Sequence, residues 1–490
     1  MKADCRRGPR TPFARYQDLL VVLLTIGVLG GLLFYNLDGW KIDDDEGSFL
    51  YQAWRVSEGE QPYTDFFTTR WPFFLYTAGI LVDFLGQDIG AIRAAPALVT
   101  LVTAFLVFLL ARELLPVEGA WLSMLAFLLH PATFSLGRTL YTESFMLFFD
   151  VLGLYLFYRG WNRRQKLLLI LAGLSFGVSV FFQPMGTLPF AGCLLWILAD
   201  TWRHREHWRS SISRALFFSL SFGLFVGGVF ASLGLWNPAF YSSAVGAHLT
   251  GQQDQAPALV NGSVLLLQYV LQYLPLMAFA LPAAWISGRE AGSRSLIAWQ
   301  LPTAFAFLAL SRPLFARHLD YLTPALAVLF AMALEPLRQW AKRSFLYISV
   351  VIAILLPWVM TDLGQALRTE NDTARIVELM RRETDEQAYV ISDYQELNFY
   401  AGRRSTYRGA EISLAMIEGG QISRSLLTEE MERFPVEMIV IDVSPETGHH
   451  LSALPDYDSF RSQVDKHYEL LGQFSRSAQV LEIYIRNRND

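Results

Sequence analysis

Four consecutive carboxylates, Asp43, Asp44, Asp45 and Glu46, stand just after a long apolar run. Asp65 and Arg70 follow in the same polar stretch, ahead of Trp71-Pro72 and a further apolar segment. A positioned carboxylate can take the proton of a hydroxyl as it attacks. A guanidinium is a planar fork that matches a phosphate with two parallel hydrogen bonds and steadies its charge as it departs. Together, at the lip of a membrane, they suit transfer of a group from a phosphate leaving group to a hydroxyl. Dense charge at that depth is costly unless it faces water or a ligand.

Further candidates lie beyond this stretch. Arg93, Arg138 and Arg317 with His318 sit at the ends of apolar runs, and Glu143 opens one. Plainer readings stand beside each. A run of acids is commonly a solvated turn. Arginines at helix ends commonly snorkel. Glu143 can complement a helix N-terminus. Trp71, Phe73, Phe74 and Tyr76 fit an aromatic belt. Asp43-Asp44-Asp45 also has the Asp-x-Asp form that holds a metal for nucleotide sugars. No dinucleotide-type fold precedes it, and the loop is expected on the face away from cytoplasmic nucleotides. The expectation is no metal site and no cofactor, although this many oxygens can hold a divalent ion.

The chain of 490 residues is 53% hydrophobic and only 17% charged, against about a quarter charged in soluble domains. Its net charge of -5 and lack of a large basic tail speak against a nucleic-acid partner. Two cysteines, Cys5 in the basic tail and Cys193 in an apolar run, make no disulfide or zinc framework. The first apolar run is long for a signal peptide and lacks a cleavage site, so it reads as an uncleaved first span.

Apolar runs of spanning length recur near 18–37, 91–112, 118–136, 143–159, 166–183, 185–200, 214–236, 263–287, 295–311, 317–336 and 345–362, eleven in all. Gln183-Pro184 marks either a hairpin between two short spans or a kink in one. Placing the N-terminus in the cytoplasm makes every cytoplasmic loop basic: Arg159/Arg163/Arg164/Lys166, Arg203/Arg205/Arg209/Arg214, Arg289/Arg294 and Arg338/Lys342/Arg343. This agreement favours the hairpin. The acidic stretch and the C-terminus then face the extracytoplasmic side of a plasma (inner) membrane. No internal repeat of the transporter kind is visible.

Ser48 to Glu58 has helical apolar spacing and reads as an amphipathic helix lying on the membrane surface, ended by Gly59 and Pro62. Pro72 to Leu85 reads as a second interfacial helix. From about Thr361 charge becomes common. Ala388 to Ile391, Val436 to Val443 and Gln479 to Ile485 read as strands, and Ala374 to Glu383 and Leu426 to Phe434 as helices. The expected fold is mainly α: a transmembrane domain over 1–362 and a small extracytoplasmic α/β domain over 363–490, giving structural cover or docking an acceptor.

The motifs converge on a family. Asp45-Glu46 after the first span, Gly59-x-x-Pro62-Tyr63-x-Asp65-Phe66-Phe67, Arg70-x-Pro72 with Leu75-Tyr76, then Gly86 and Arg93, resemble the bacterial dolichyl-phosphate-mannose protein mannosyltransferases. More distantly they resemble the aminoarabinose transferases of lipid A. Arg138-x-x-x-x-Glu143 is similar to the family's second outer loop, and Arg317-His318-x-x-Tyr321-x-x-Pro324 to its late basic-aromatic-proline segment. The resemblance implies a C-fold membrane glycosyltransferase that takes a hexose or pentose from a polyprenyl-phosphate donor and passes it, with inversion, to a protein, lipid or glycan hydroxyl. Mapped residue by residue, Asp45 is the catalytic base, with Glu46 assisting. Arg70 binds the lipid phosphate. Asp44, Asp65, Arg138, Glu143, Arg317, His318 and Tyr321 are substrate-binding candidates. The aminoarabinose transferases carry Glu-Lys-Pro where this chain has Thr69-Arg70-Trp71-Pro72, and the missing carboxylate speaks against an amino sugar. A transporter or flippase of lipid-linked saccharides is the main alternative, but it would place charge within spans near the midplane.

Overall fold

The computed structural model describes residues 25–39, 42–203, 208–246, 258–290, 292–304, 316–340, 356, 360, 372–444, 450–476 and 479–487. The expected span 345–362, the start of the first span and Cys5 lie outside most or all of these.

The helical part begins with α1 (Thr25–Phe34), α2 (Asp44–Ser57), α3 (Pro72–Leu85) and α4 (Ile89–Leu114). It continues with α5 (Val117–Leu128), α6 (Pro131–Leu136), α7 (Thr142–Arg163), α8 (Lys166–Phe182), α9 (Thr187–Arg203) and α10 (Trp208–Trp236). Then come α11 (Ala258–Gln272), α12 (Leu274–Arg289) and α13 (Thr323–Trp340). Among the described residues three helices are long and apolar enough to cross a bilayer: α4, α10 and, within α13 and the turn before it, His318–Pro336.

Several expected spans are broken pieces, each with a local cause. Proline cannot donate the N–H that would continue a helix. The run 263–287 is two helices meeting at 108°, with Pro275 in the first turn of α12. The run 118–136 is divided at Leu129-His130, where Pro131 opens α6. The boundary at Gln183-Pro184, by contrast, falls between two expected spans as anticipated: α8 ends, one 3-10 turn intervenes and α9 starts anew. Over 295–300 the run 295–311 is short 3-10 turns, with α-helical backbone at 303–304. Among the described residues, the runs 118–136 and 263–287 are therefore each two helices rather than one.

The first outer loop departs most from expectation. The acids are neither a turn nor coil: Asp43 is the N-cap of α2, its carboxylate accepting from the Glu46 N–H at 2.9 Å, and Asp44 to Glu46 form the first helical turn. Carboxylates there complement the positive end of the helix dipole. Nor does α2 lie on an open surface. Phe49, Leu50, Tyr51 and Ala53 are buried, and so are Gln52 and Arg55. One side packs on α3 and the other on the C-terminal domain. A hydrophobic stripe marks a face that leaves water, but it does not say whether lipid or protein covers it. Gly47 marks the closest approach: a Cβ there would sit 2.4 Å from Oε2 of Glu396. At its far end α2 stops with Gly59 at φ 86°, a left-handed position that suits glycine.

The C-terminal domain comprises α14 (Thr373–Glu383), β1 (Tyr389–Ser392), α15 (Gln395–Ala401), α16 (Leu414–Glu418), α17 (Arg424–Arg433), β2 (Val436–Asp442), α18 (Tyr457–His467), β3 (Tyr468–Arg476) and β4 (Gln479–Arg486). The sheet order is β1-β2-β4-β3, with β1 and β2 parallel and the other pairs antiparallel. Central β2 is buried almost throughout and lies between two apolar layers. Phe67, from the loop between α2 and α3, enters one of them. The loop and this domain therefore share a core.

Candidate active site

Asp45 and Arg70, separated by 25 residues, meet with Nη2 of Arg70 3.2 Å from Oδ1 of Asp45. Both are partly open to solvent, 25% for Arg70 and 32% for Asp45. The first turn of α2 holds the acid. The loop before α3 holds the cation, its guanidinium 4.6 Å over the Phe49 ring. Nε of Arg70 is buried and has no hydrogen-bond partner among the described residues. Such a donor is a cost when empty and a contact when a ligand arrives.

The loop carrying Arg70 is pinned along its length. Tyr63 is held at φ 71°, a strained conformation for an aromatic residue. Its ring packs on Phe240 and its hydroxyl donates to the Arg70 carbonyl at 2.7 Å. Thr68 Oγ1 donates to Gln52 Oε1 at 2.8 Å and accepts from the Arg70 N–H at 3.1 Å. Phe67 N–H donates to the Tyr407 carbonyl at 2.8 Å.

The other acids of the cluster have separate environments. Asp43 accepts from the Tyr141 hydroxyl at 2.6 Å. Burial and the Glu46 charge push its carboxyl up to about 6, against the bonds from Glu46 N–H and Tyr141. Asp44 is more than half exposed and lies 3.5 Å from Nε2 of His450 in the C-terminal domain. Glu46 is wholly buried, paired with both Nε and Nη2 of Arg93, and accepts from the Leu140 N–H at 2.8 Å.

The remaining expected residues are held by other groups. Arg138 is buried and donates to the carbonyls of Leu32, Leu33, Tyr35 and Asn36. It thereby satisfies carbonyls at the C-terminal end of α1. Glu143 accepts from Thr142 and from Gln183, the latter at 3.2 Å. Asp65 accepts from the Gln61 N–H at 2.7 Å within its own turn. The Tyr321 hydroxyl pairs with Thr303 at 2.9 Å. His318 lies in the 3-10 turn Ala316–Leu322, half-buried. The Arg317 side chain is outside what is described.

The sequence did not point to Glu411. This buried carboxylate of the C-terminal domain accepts from the Thr69 N–H at 2.8 Å, the Thr69 hydroxyl at 2.5 Å and Gln52 Nε2 at 3.3 Å. It lies 3.6 Å from Arg70 Nη2. A carboxylate therefore stands beside Arg70 in space although none adjoins it in sequence. Nothing periodic or motif-like marks position 411; only the fold brings it here.

Comparisons with known proteins fit this geometry. Residues 69–226 match the family model described as dolichyl-phosphate-mannose-protein mannosyltransferase, a segment running from the Arg70 loop into α10. No curated protein matches the sequence. The fold is similar to that of ArnT from Cupriavidus metallidurans in the apo state, with a TM-score of 0.70 at 14% identity, covering 96% of this chain and 98% of that one. The same protein bound to undecaprenyl phosphate matches with a TM-score of 0.61 at 14% identity, over 95% and 97% of the two chains. The archaeal oligosaccharyltransferase AglB from Archaeoglobus fulgidus, in complex with an inhibitory peptide and a dolichol-phosphate, matches with a TM-score of 0.57 at 15% identity, over 98% of this chain and 75% of that one. The family resemblance carried by the motifs is matched over 69–226 by the mannosyltransferase family model, and the whole chain has a fold similar to those of ArnT and AglB.

Proposed function

We propose that this protein is a membrane glycosyltransferase that moves a sugar from a polyprenyl-phosphate donor to an acceptor hydroxyl on the extracytoplasmic face, with inversion. The observation that carries the reading is the contact between Asp45 and Arg70, a carboxylate and a guanidinium that are both partly open where α2, the loop before α3 and the C-terminal domain converge. Similar folds that hold undecaprenyl phosphate and dolichol-phosphate support the donor class.

In this reading Arg70 turns toward the donor phosphate, using Nη2 and the unpartnered Nε. Asp45 is thereby released to accept the acceptor's proton. The acceptor oxygen forms a bond to the anomeric carbon as that carbon's bond to the phosphate oxygen breaks. The proton ends on Asp45 and polyprenyl phosphate departs with the electron pair, its charge held by Arg70. Attack from the face opposite the phosphate inverts the anomeric centre. Asp44 and Asp65, together with Glu143, His318, Tyr321 and Arg317, are proposed to line the route of donor or acceptor. Arg138 and Glu46 act through the scaffold.

The test is release of polyprenyl phosphate by the purified protein from a set of polyprenyl-phosphate sugars. Asp45→Asn should lower it by about 10²–10⁴-fold, the usual contribution of a general base. Near-normal transfer by a folded Asp45→Asn protein refutes the assignment. Movement of intact donor across vesicles without release would favour the transporter. Arg70 supplies the positive charge at the phosphate, so the reaction is proposed to need no bound metal. Transfer should persist after EDTA, and loss restored by a divalent ion would reverse that.

A further inference from the structure

The geometry points to Glu411 as the positioning residue for Arg70, so that the C-terminal domain completes the active site rather than merely covering it. This inference rests on the reading of Arg70 as the phosphate ligand.

The loop between α2 and α3 closes on itself through backbone hydrogen bonds only over 61–66. At Thr69 and Arg70 the main-chain N–H groups are held by side chains, Glu411 and Thr68, so the placement of Arg70 depends on what grips that end of the loop. Glu411 grips the adjoining residue through both main chain and side chain, at 2.8 Å to the Thr69 N–H and 2.5 Å to the Thr69 hydroxyl. Gln52 ties the same carboxylate to α2, at 3.3 Å, while accepting from Thr68 at 2.8 Å. One carboxylate therefore links three parts of the molecule: the Arg70 loop, the helix that carries Asp45, and the C-terminal domain. It is 3% exposed, so these bonds are not shared with bulk water. A grip of this kind holds because the bonded groups are desolvated and would otherwise be left unsatisfied.

The contact with Arg70 itself is longer, 3.6 Å. It shares Nη2 with Asp45 and leaves Nε without a partner. Glu411 thus holds the backbone tightly and the guanidinium loosely. A ligand phosphate can draw the guanidinium away from both carboxylates without moving the loop. The two functions of the Glu411 carboxylate are separable: its oxygens anchor Thr69, and its charge competes with phosphate for Arg70.

That separation sets the experiment. Binding of undecaprenyl phosphate to the full-length protein in detergent micelles would be measured for wild type, E411A and E411Q, alongside thermal stability. E411A strands the Thr69 N–H in a buried site and should weaken phosphate binding by about tenfold or more. E411Q keeps an oxygen for Thr69 and removes the competing charge, so its affinity should equal or exceed that of wild type. In turnover, E411A should raise KM for the donor while leaving KM for the acceptor within about twofold, a split that general loosening of the fold would not give. Equal affinity in all three proteins overturns the inference and leaves the donor class intact. Equal weakening in E411A and E411Q overturns it as well, because the charge rather than the anchor would then be what matters. If E411A does not fold, T69V tests the hydroxyl half of the anchor and should weaken binding about threefold. No binding by wild type overturns the donor class and this inference with it.

Discussion

Asp45 and Glu46 are neighbours in sequence and each meets an arginine, yet the two pairs are opposites. Glu46 and Arg93 are both wholly buried, joined through two guanidinium nitrogens, and each has a backbone partner besides: the Leu140 N–H for Glu46 and the Leu37 carbonyl for Arg93. Asp45 and Arg70 touch through a single nitrogen at 3.2 Å, with solvent on both sides. The cause is the helix itself. Successive residues on a helix point in directions about 100° apart, so the first turn of α2 sends one acid into the bundle and the next toward the opening. A buried pair with every bond satisfied is fixed in place. An ion pair that is partly wet and singly bonded can be exchanged for a ligand.

The sharpest way to break this contrast is to remove one member of each pair and measure stability. Arg93→Ala leaves the Glu46 carboxylate buried without its counter-charge, and should cost about 3–5 kcal/mol. The expected outcome is loss of folded protein in detergent, seen as a collapse of monodisperse yield and of the melting transition. Asp45→Asn removes a partner that water can replace, and should shift stability by about 1 kcal/mol or less, while lowering the proposed transfer by about 10²–10⁴-fold. If both substitutions destabilise equally, the distinction between scaffold pair and working pair fails.

How much of this could be read beforehand follows from what each element depends on. The strands β2 and β4, the helices α3, α14 and α17 and the change in composition near Thr361 were legible because local periodicity and charge set them. The edge strand β3 was missed: its Leu470 and Leu471 are exposed and its register shifts near Gly472, so no clean alternation marks it. At the site, Asp45 and Arg70 were legible through their residue types and the motif. Arg93 and Arg138 were seen as cations at helix ends, but sequence does not say whether such a group faces a ligand or a neighbouring carbonyl. Glu411 and His450 lie more than 300 positions from the residues they join, Thr69 and Arg70 for the one and Asp44 for the other. Such long-range contacts leave no period or spacing in a single sequence.

The smallest expected effect concerns the third acid, Asp44, and sharpens the comparison by adding an intermediate case. Its partner His450 is nearly buried, while Asp44 itself is more than half exposed. Burial disfavours the His450 cation, but the hydrogen bond to Asp44 and the charges of Asp393, Asp44 and Asp442 outweigh it and hold the imidazole up at about 9. Tyr394 packs against the same ring, and its hydroxyl donates to Asp442. A histidine whose pKa is raised on folding stabilises fully below its unfolded value, about 6.5. That contribution is lost as pH climbs through about 9. Asp393 is pushed up to about 6, mainly by its own burial; its titration overlaps the lower end of this window but is common to both proteins, so the comparison with His450→Gln isolates the histidine. With an exposed partner the pair should contribute only about 0.5 kcal/mol. The melting temperature of wild type should therefore fall slightly more between about pH 6.5 and 9.5 than that of His450→Gln, and the two profiles should converge at the alkaline end. Parallel profiles across that range would mean that His450 carries no charge against Asp44, and that the first turn of α2 is held to the C-terminal domain by packing alone.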